Sequence, residues 1–140
     1  IRQAGFDVFY INAGGDLYAS SGLNAKKRWQ VGIQHPDDAE QLIAMLPVAN
    51  AAVATSGDYE RFFERDGVRY HHIIDPDTGH PARLSRSATV LTSRAYLADA
   101  LATAVFVLGP ERGLALIRQL PEAEAMIIGA DGEVYSTLPD

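Results

Sequence analysis

Three times along this chain a run of β-branched and aromatic residues stops at a glycine-bearing turn and then resumes: at "NAGGD" (12–16), "RDGV" (65–68) and "ADGE" (130–133). Glycine and the Asp-Gly pair reach positive φ at little steric cost, which is what tight antiparallel hairpins demand. Such punctuation favours antiparallel neighbours, since parallel strands need long crossovers. The runs at 6–11 and 17–20 predict one hairpin, those flanking Asp66-Gly67 a second, and those flanking Asp131-Gly132 a third. "WQVGIQ" alternates as a further strand that stops at His35-Pro36, after a polar loop "GLNAKKR" (22–28), and "SATVLT" is another. Over 37–55 the spacing of Leu42, Ile43, Met45 and Leu46 reads as helix-like or irregular structure, followed by a strand in "VANAAVAT".

The longest apolar run, "YLADALATAVFVLG" (96–109), carries Asp99 and reads as a buried helix, too short and too polar to cross a bilayer. Ser93 is the expected N-cap, Gly109 the terminator, and Pro110 opens a second helix, "PERGLALIRQL". The prediction is one α+β domain over 1–140, with a mixed or antiparallel sheet and two main helices. At 140 residues and 47% hydrophobic content the chain suffices for one core. Its net charge of −6, with scattered basic residues, argues against binding nucleic acid. The absence of cysteine excludes disulfides, thiolate metal sites and a thiol nucleophile. The opening "IRQAGFDVFYINAGGD" carries no export signal and reads as the interior of a longer protein.

Four stretches could carry chemistry. Gly14 and Gly15 allow backbone amides to approach a ligand, or simply make a turn; no helix follows, so this is no P-loop. Thr55-Ser56-Gly57 followed by Asp58 is an adaptable polar loop with the same two readings. In "RYHHIIDPDTGHP" (69–81), alternation puts His71 and His72 on opposite faces, His72 with Tyr70 and Ile74, so at most one can act as general base. A zinc site from His71, His72 and His80 lacks a familiar ligand spacing. Asp99 and Thr103, four residues apart on a helix, set a carboxylate beside a hydroxyl: hard oxygens suited to magnesium or calcium, or else a helix-dipole contact and a back-bonded threonine.

Taken together, "NAGGDLYASSG", "ATSGDYERFFERDGVRYHHIIDPDTGHPA" and "ADALATAVFVLG" resemble the ApbE family of FAD:protein FMN transferases, in order and spacing over essentially the whole chain. The resemblance implies a T-fold-like ApbE domain that binds FAD and Mg2+ and transfers FMN to a threonine or serine hydroxyl of an acceptor protein, releasing AMP. It implies that Asp99 and Thr103 are metal ligands and that His72 takes the acceptor proton, with His71 the fallback. It places Ile73 where the backbone touches flavin, and Gly14, Gly15, Thr55, Ser56 and Gly57 in segments shaping the FAD cleft. By the same resemblance the chain is the second half of a longer protein, periplasmic or inner-membrane-anchored, whose acceptor is a subunit of a respiratory or redox membrane complex. The missing half would supply adenine contacts, a further metal-coordinating position and an aspartate near the flavin. Asp77 stands where the family often carries a basic residue, which argues against an anion contact there. Two other activities fit the same residues: splitting FAD into FMN and AMP as a pyrophosphatase, and binding flavin without turnover as an assembly module.

Overall fold

A computed structural model describes residues 1–23 and 28–138; the middle of the predicted polar loop, 24–27, lies outside the described residues. The strands are β1 (Val8–Ala13), β2 (Asp16–Ser21), β3 (Trp29–His35), β4 (Asp38–Val48), β5 (Ala51–Gly57), β6 (Phe62–Arg65), β7 (Val68–His71) and β8 (Ser85–Thr92). Helix α1 (Ala95–Ile117) follows, then β9 (Ala123–Gly129) and β10 (Val134–Ser136). A six-stranded sheet runs β1-β2-β5-β8-β9-β10, while β3-β4 and β6-β7 form separate hairpins. Every pairing is antiparallel, as the turn chemistry predicts.

The first turn is the tightest case. Ala13 pairs with Asp16, so Gly14 and Gly15 alone make the connection, at φ 69° and 113°. Asp66 and Gly67 do the same between β6 and β7, at φ 53° and 73°.

Residues 38–48 overturn the helical expectation: they form one eleven-residue strand paired along β3, from Trp29 opposite Val48 to His35 opposite Asp38. Ala44, Leu46 and Val48 alternate inward onto a small core with Val31, Ile33, Ala19 and Val53. Pro47, which would break a helix interior, is tolerated in this two-stranded hairpin.

The two predicted helices meet end to end at a kink within α1. Gly109 alone within it leaves helical geometry (φ 76°, ψ 177°) and ends the first helix, and Pro110 opens the second. Nor does Ser93 cap it: the N-cap is Arg94, with no side-chain cap bond, and the Leu97 and Ala98 amides bond to the Arg94 carbonyl. Counted across the kink, the 23 residues of α1 are long and apolar enough, by length and composition, to cross a membrane. Here Ala98, Leu101, Ala102, Val105, Phe106, Leu114 and Ile117 instead pack on Ala52, Ala54, Ala88, Val90, Ala125 and Ile127 of the sheet. The sheet is therefore covered by α1 on one face and by the β3-β4 hairpin on the other.

Candidate functional site

Strand register collects the predicted residues at one end of the sheet. β2 pairs with β5 through Leu17 opposite Val53. Continuing that register brings Asp16 level with Ala54, and the Gly14-Gly15 turn level with Thr55 and Ser56. β5 in turn pairs with β8 through Ser56 opposite Ala88 and Gly57 opposite Ser87. The strand bearing the histidines joins this end, because Ala82, just before β8, donates its amide to the Ile73 carbonyl at 3.0 Å.

Alternation then decides which side chains meet α1. Ala52 and Ala54 pack against the helix, so Ser56 faces it too, and its Oγ lies 3.1 Å from Thr103 Oγ1. Thr55 points to the opposite face, where its hydroxyl pairs with Thr89 at 2.8 Å. Thr55 and Ser56 therefore do not share a site. Gly57 is buried, and a Cβ there would fall 2.6 Å from the Tyr59 ring, so packing by that ring already accounts for the glycine. Burial, and secondarily the charges of Glu60 and Asp58, push the Tyr59 phenol up to about 12, which keeps it neutral.

Asp99 and Thr103 both lie on the exposed side of α1, one turn apart, while Ala98, Leu101, Ala102 and Val105 face the core. Asp16, on the helix-facing side of β2, joins them electrostatically: partial burial, and secondarily the charge of Asp99, raise its carboxyl above the usual range. Neither carboxylate has an ion-pair partner among the described residues. Two carboxylates and the Thr103 hydroxyl are a donor set that fits Mg2+, which takes one or two protein carboxylates and completes its shell with water and phosphate. No group of three or more His, Asp or Glu side chains suited to a metal occurs among the described residues. Asp16 was not singled out from the sequence, although a carboxylate directly after the Gly-Gly turn was the available signal.

The two histidines divide as alternation predicts. His71 is buried, its ring edge-on to Phe106 at 5.4 Å. Its Nε2 donates to the Ala82 carbonyl at 2.9 Å and its Nδ1 accepts the Ile73 amide at 3.3 Å, so both ring nitrogens are used by the neutral form. Burial, outweighing that hydrogen bond, holds its pKa below the ordinary histidine value. His71 is thus a structural residue. His72 is exposed; its Nδ1 lies 3.3 Å from the Arg61 carbonyl, which can only accept, so a proton on Nδ1 satisfies that contact and Nε2 is the ring nitrogen left without a partner among the described residues. Ile73 is buried, with its amide on His71 and its carbonyl on Ala82. "DPDTG" closes as a compact turn, the Asp77 amide on Asp75 Oδ1 and the Gly79 amide on the Asp75 carbonyl.

A network absent from the sequence reading holds this end together. Asp58, 7% exposed, accepts from Arg69 Nη1 at 3.2 Å and from Arg86 Nε at 2.8 Å. Arg86 also reaches Asp37 at 2.6 Å, and Arg69 reaches Glu64 at 3.3 Å while lying over the Phe62 ring. Asp58 thus ties the β6-β7 hairpin to the main sheet, and Asp37 ties the turn between β3 and β4 to the same Arg86. A cavity of about 710 Å³ opens elsewhere, beside the α1 kink, lined by Leu84, Gly109, Arg112, Arg118 and Tyr135; it touches none of the predicted site residues.

A family model described as the ApbE family matches residues 1–127. A FAD:protein FMN transferase of Treponema pallidum (strain Nichols) is 44% identical over 94% of this chain and 39% of its own length; that of Escherichia coli (strain K12) is 36% identical over 98% and 39%. The crystal structure of the ApbE protein from Thermotoga maritima superposes with a TM-score of 0.82 at 38% identity, over 92% of this chain and 42% of that one. Flavin transferase ApbE from Vibrio cholerae gives 0.78 at 34% identity, over 96% and 44%. The chain thus spans about two-fifths of the length of these relatives. Shared sequence, shared fold and a family match across nearly all of its length agree: this chain belongs to the ApbE family.

Proposed function

We propose that the chain carries the cation-binding and proton-accepting part of an FAD:protein FMN transferase. The observation that supports this most directly is the exposed Asp99 and Thr103 pair on α1, linked through Thr103 to Ser56 and faced by Asp16. Asp99 and Thr103 would hold Mg2+, which when bound neutralises charge on the diphosphate of FAD. The Gly14-Gly15 turn, with open space around both α-carbons, lets the FAD diphosphate approach the backbone. Gly57 and Thr55 shape the same sheet end from behind, and Ile73, anchored at both backbone groups, fixes the segment that meets the flavin.

The acceptor's threonine or serine oxygen forms a bond to the FMN phosphorus as the bond to the AMP oxygen breaks. His72 Nε2 takes the hydroxyl proton, since its Nδ1–H is held by Arg61. Such a base contributes roughly 10²–10⁴ in rate. The acceptor is proposed to be a subunit of a respiratory or redox membrane complex, and the setting periplasmic or at the inner membrane.

The test is a chimera in which this chain replaces the matching segment of the Treponema pallidum relative, mixed with FAD, Mg2+ and a threonine-bearing acceptor. Covalent flavin is read as fluorescence after denaturing electrophoresis. Asp99→Ala is expected to abolish labelling and His72→Ala to slow it at least about 100-fold. Labelling at the wild-type rate in both variants refutes these roles. AMP released without labelled acceptor replaces the transferase with an FAD pyrophosphatase, and FAD retained uncleaved replaces it with a flavin-binding module.

A further inference from the structure

We propose that Ser56 is a positioning residue for Thr103: it accepts the Thr103 hydroxyl proton and so turns the lone pairs of that hydroxyl to the open side of α1 that Asp99 shares. The inference rests on the reading of Asp99 and Thr103 as cation ligands, and it gives Ser56 a role distinct from touching flavin.

A threonine hydroxyl has one proton and two lone pairs. If a lone pair goes to a cation, the proton, made more acidic by that contact, needs an acceptor elsewhere. A helical threonine ordinarily sends it back to the carbonyl one turn earlier. Thr103 does not: among the described residues its Oγ1 is partnered by Ser56 Oγ at 3.1 Å, across 47 residues of sequence. Geometry makes this contact repeatable. β5 alternation fixes Ser56 on the helix face beyond Ala52 and Ala54, and Ala98, Ala102 and Val105 fix the helix against that face. Thr55, the neighbouring hydroxyl, cannot substitute, since it is bonded to Thr89 on the far side of the sheet. Outer partners of this kind orient metal ligands, and their removal typically costs 10–100-fold in metal affinity. This pair is solvent-exposed, so the lower end applies, about tenfold.

Mn2+ serves as the probe, titrated into the chain in the presence of FAD and followed by electron paramagnetic resonance. Ser56→Ala is expected to weaken Mn2+ about tenfold with an unchanged melting temperature. Added to Thr103→Val, the same substitution is expected to cost nothing more, because the hydroxyl it positions is gone. In the metal-free chain, three-bond NMR couplings of the Thr103 methyl are expected to report one χ1 rotamer in the wild type and averaging in Ser56→Ala. Wild-type Mn2+ affinity and a single Thr103 rotamer in Ser56→Ala, while Asp99→Ala loses the ion, overturn the inference and leave the cation site standing. An Asp99→Ala chain that binds Mn2+ as tightly as the wild type, or a wild-type chain that binds none, overturns the cation reading and this inference with it.

Discussion

Replacing Asp58 by alanine removes one carboxylate and leaves two guanidinium groups without their shared acceptor. The Asp58 side chain is 10% exposed, whereas Arg69 and Arg86 keep 27% and 25% of theirs. Removing one partner of a fully buried ion pair costs about 3–5 kcal/mol. Here each arginine retains partial hydration and a second counter-charge, Glu64 for Arg69 and Asp37 for Arg86, so the expected loss is about 2–3 kcal/mol. Unfolding entropy near 2.1 cal/mol/K per residue amounts to about 0.3 kcal/mol/K for 140 residues, which converts that loss to a fall of about 7–10 °C in melting temperature. Thermal unfolding followed by circular dichroism measures it directly.

The same substitution has a functional consequence, because Arg69 sits on β7 and the His72 amide and ring both bond to the Arg61 carbonyl beside β6. Once Arg69 is released, the β6-β7 hairpin is tied to the sheet end mainly through His71 and Ile73. Flavin labelling by the chimera described above is then expected to fall at temperatures well below the transition. Raising NaCl to 0.5 M is expected to leave the wild-type melting temperature nearly unchanged, since partly buried pairs are weakly screened. An Asp58→Ala protein that melts within 1 °C of wild type refutes the argument, and shows that the surrounding charges compensate the loss.

Two further expectations follow from the buried histidine and the helix kink. Because burial lowers the folded-state pKa of His71, the unfolded chain binds the extra proton first; stability is full above about pH 6.5 and falls as pH drops below it, and chemical denaturation from pH 8 to 5 should show that slope reduced in His71→Asn. Gly109→Ala combines a glycine-only backbone conformation with a Cβ 2.7 Å from Leu84 Cβ, so a destabilisation of about 3 kcal/mol is expected by denaturant titration, whereas Pro110→Ala, at a position where proline merely pre-sets the helix, stays within about 1 kcal/mol.

What was legible in the sequence depended on how local its cause is. The Gly14-Gly15 and Asp66-Gly67 hairpins were legible because positive φ is a property of the turn residues themselves. That Asp99 and Thr103 share one helix face was legible because residues four apart on a helix lie one turn apart. Strand β4 was not: Leu42, Ile43, Met45 and Leu46 keep a helical spacing, yet only Leu46 of the four is buried, and the choice was made by β3, whose Trp29 and Val31 supply the facing side chains. The break at Gly109-Pro110 was legible because a glycine terminator and a helix-opening proline are local signals; that no loop separates the two helices was not. Contacts reaching across the fold were invisible for the same reason. Ser56 meets Thr103 only once sheet parity and helix position are both fixed, and Asp58 gathers Arg69, Arg86 and, through Arg86, Asp37 from three separate hairpins or strands.

The adjacent histidines show why the motif is long. Alternation makes every second residue from His71 structural: His71 and Ile73 are buried, and each bonds through ring or backbone to Ala82. His72 and Ile74, between and after them, are exposed as a result. The presentation of His72 is therefore a consequence of His71, not an independent feature. A register slip of one residue would exchange the two rings, exposing the one whose nitrogens need partners and burying the one whose Nε2 is free. The same logic runs through β5, where Thr55 faces Thr89 and Ser56 faces Thr103. Presentation and anchoring thus alternate along β5 and along the His71–Ile74 stretch, where each presented hydroxyl or imidazole has an immediate neighbour in sequence committed to the core or to the other face.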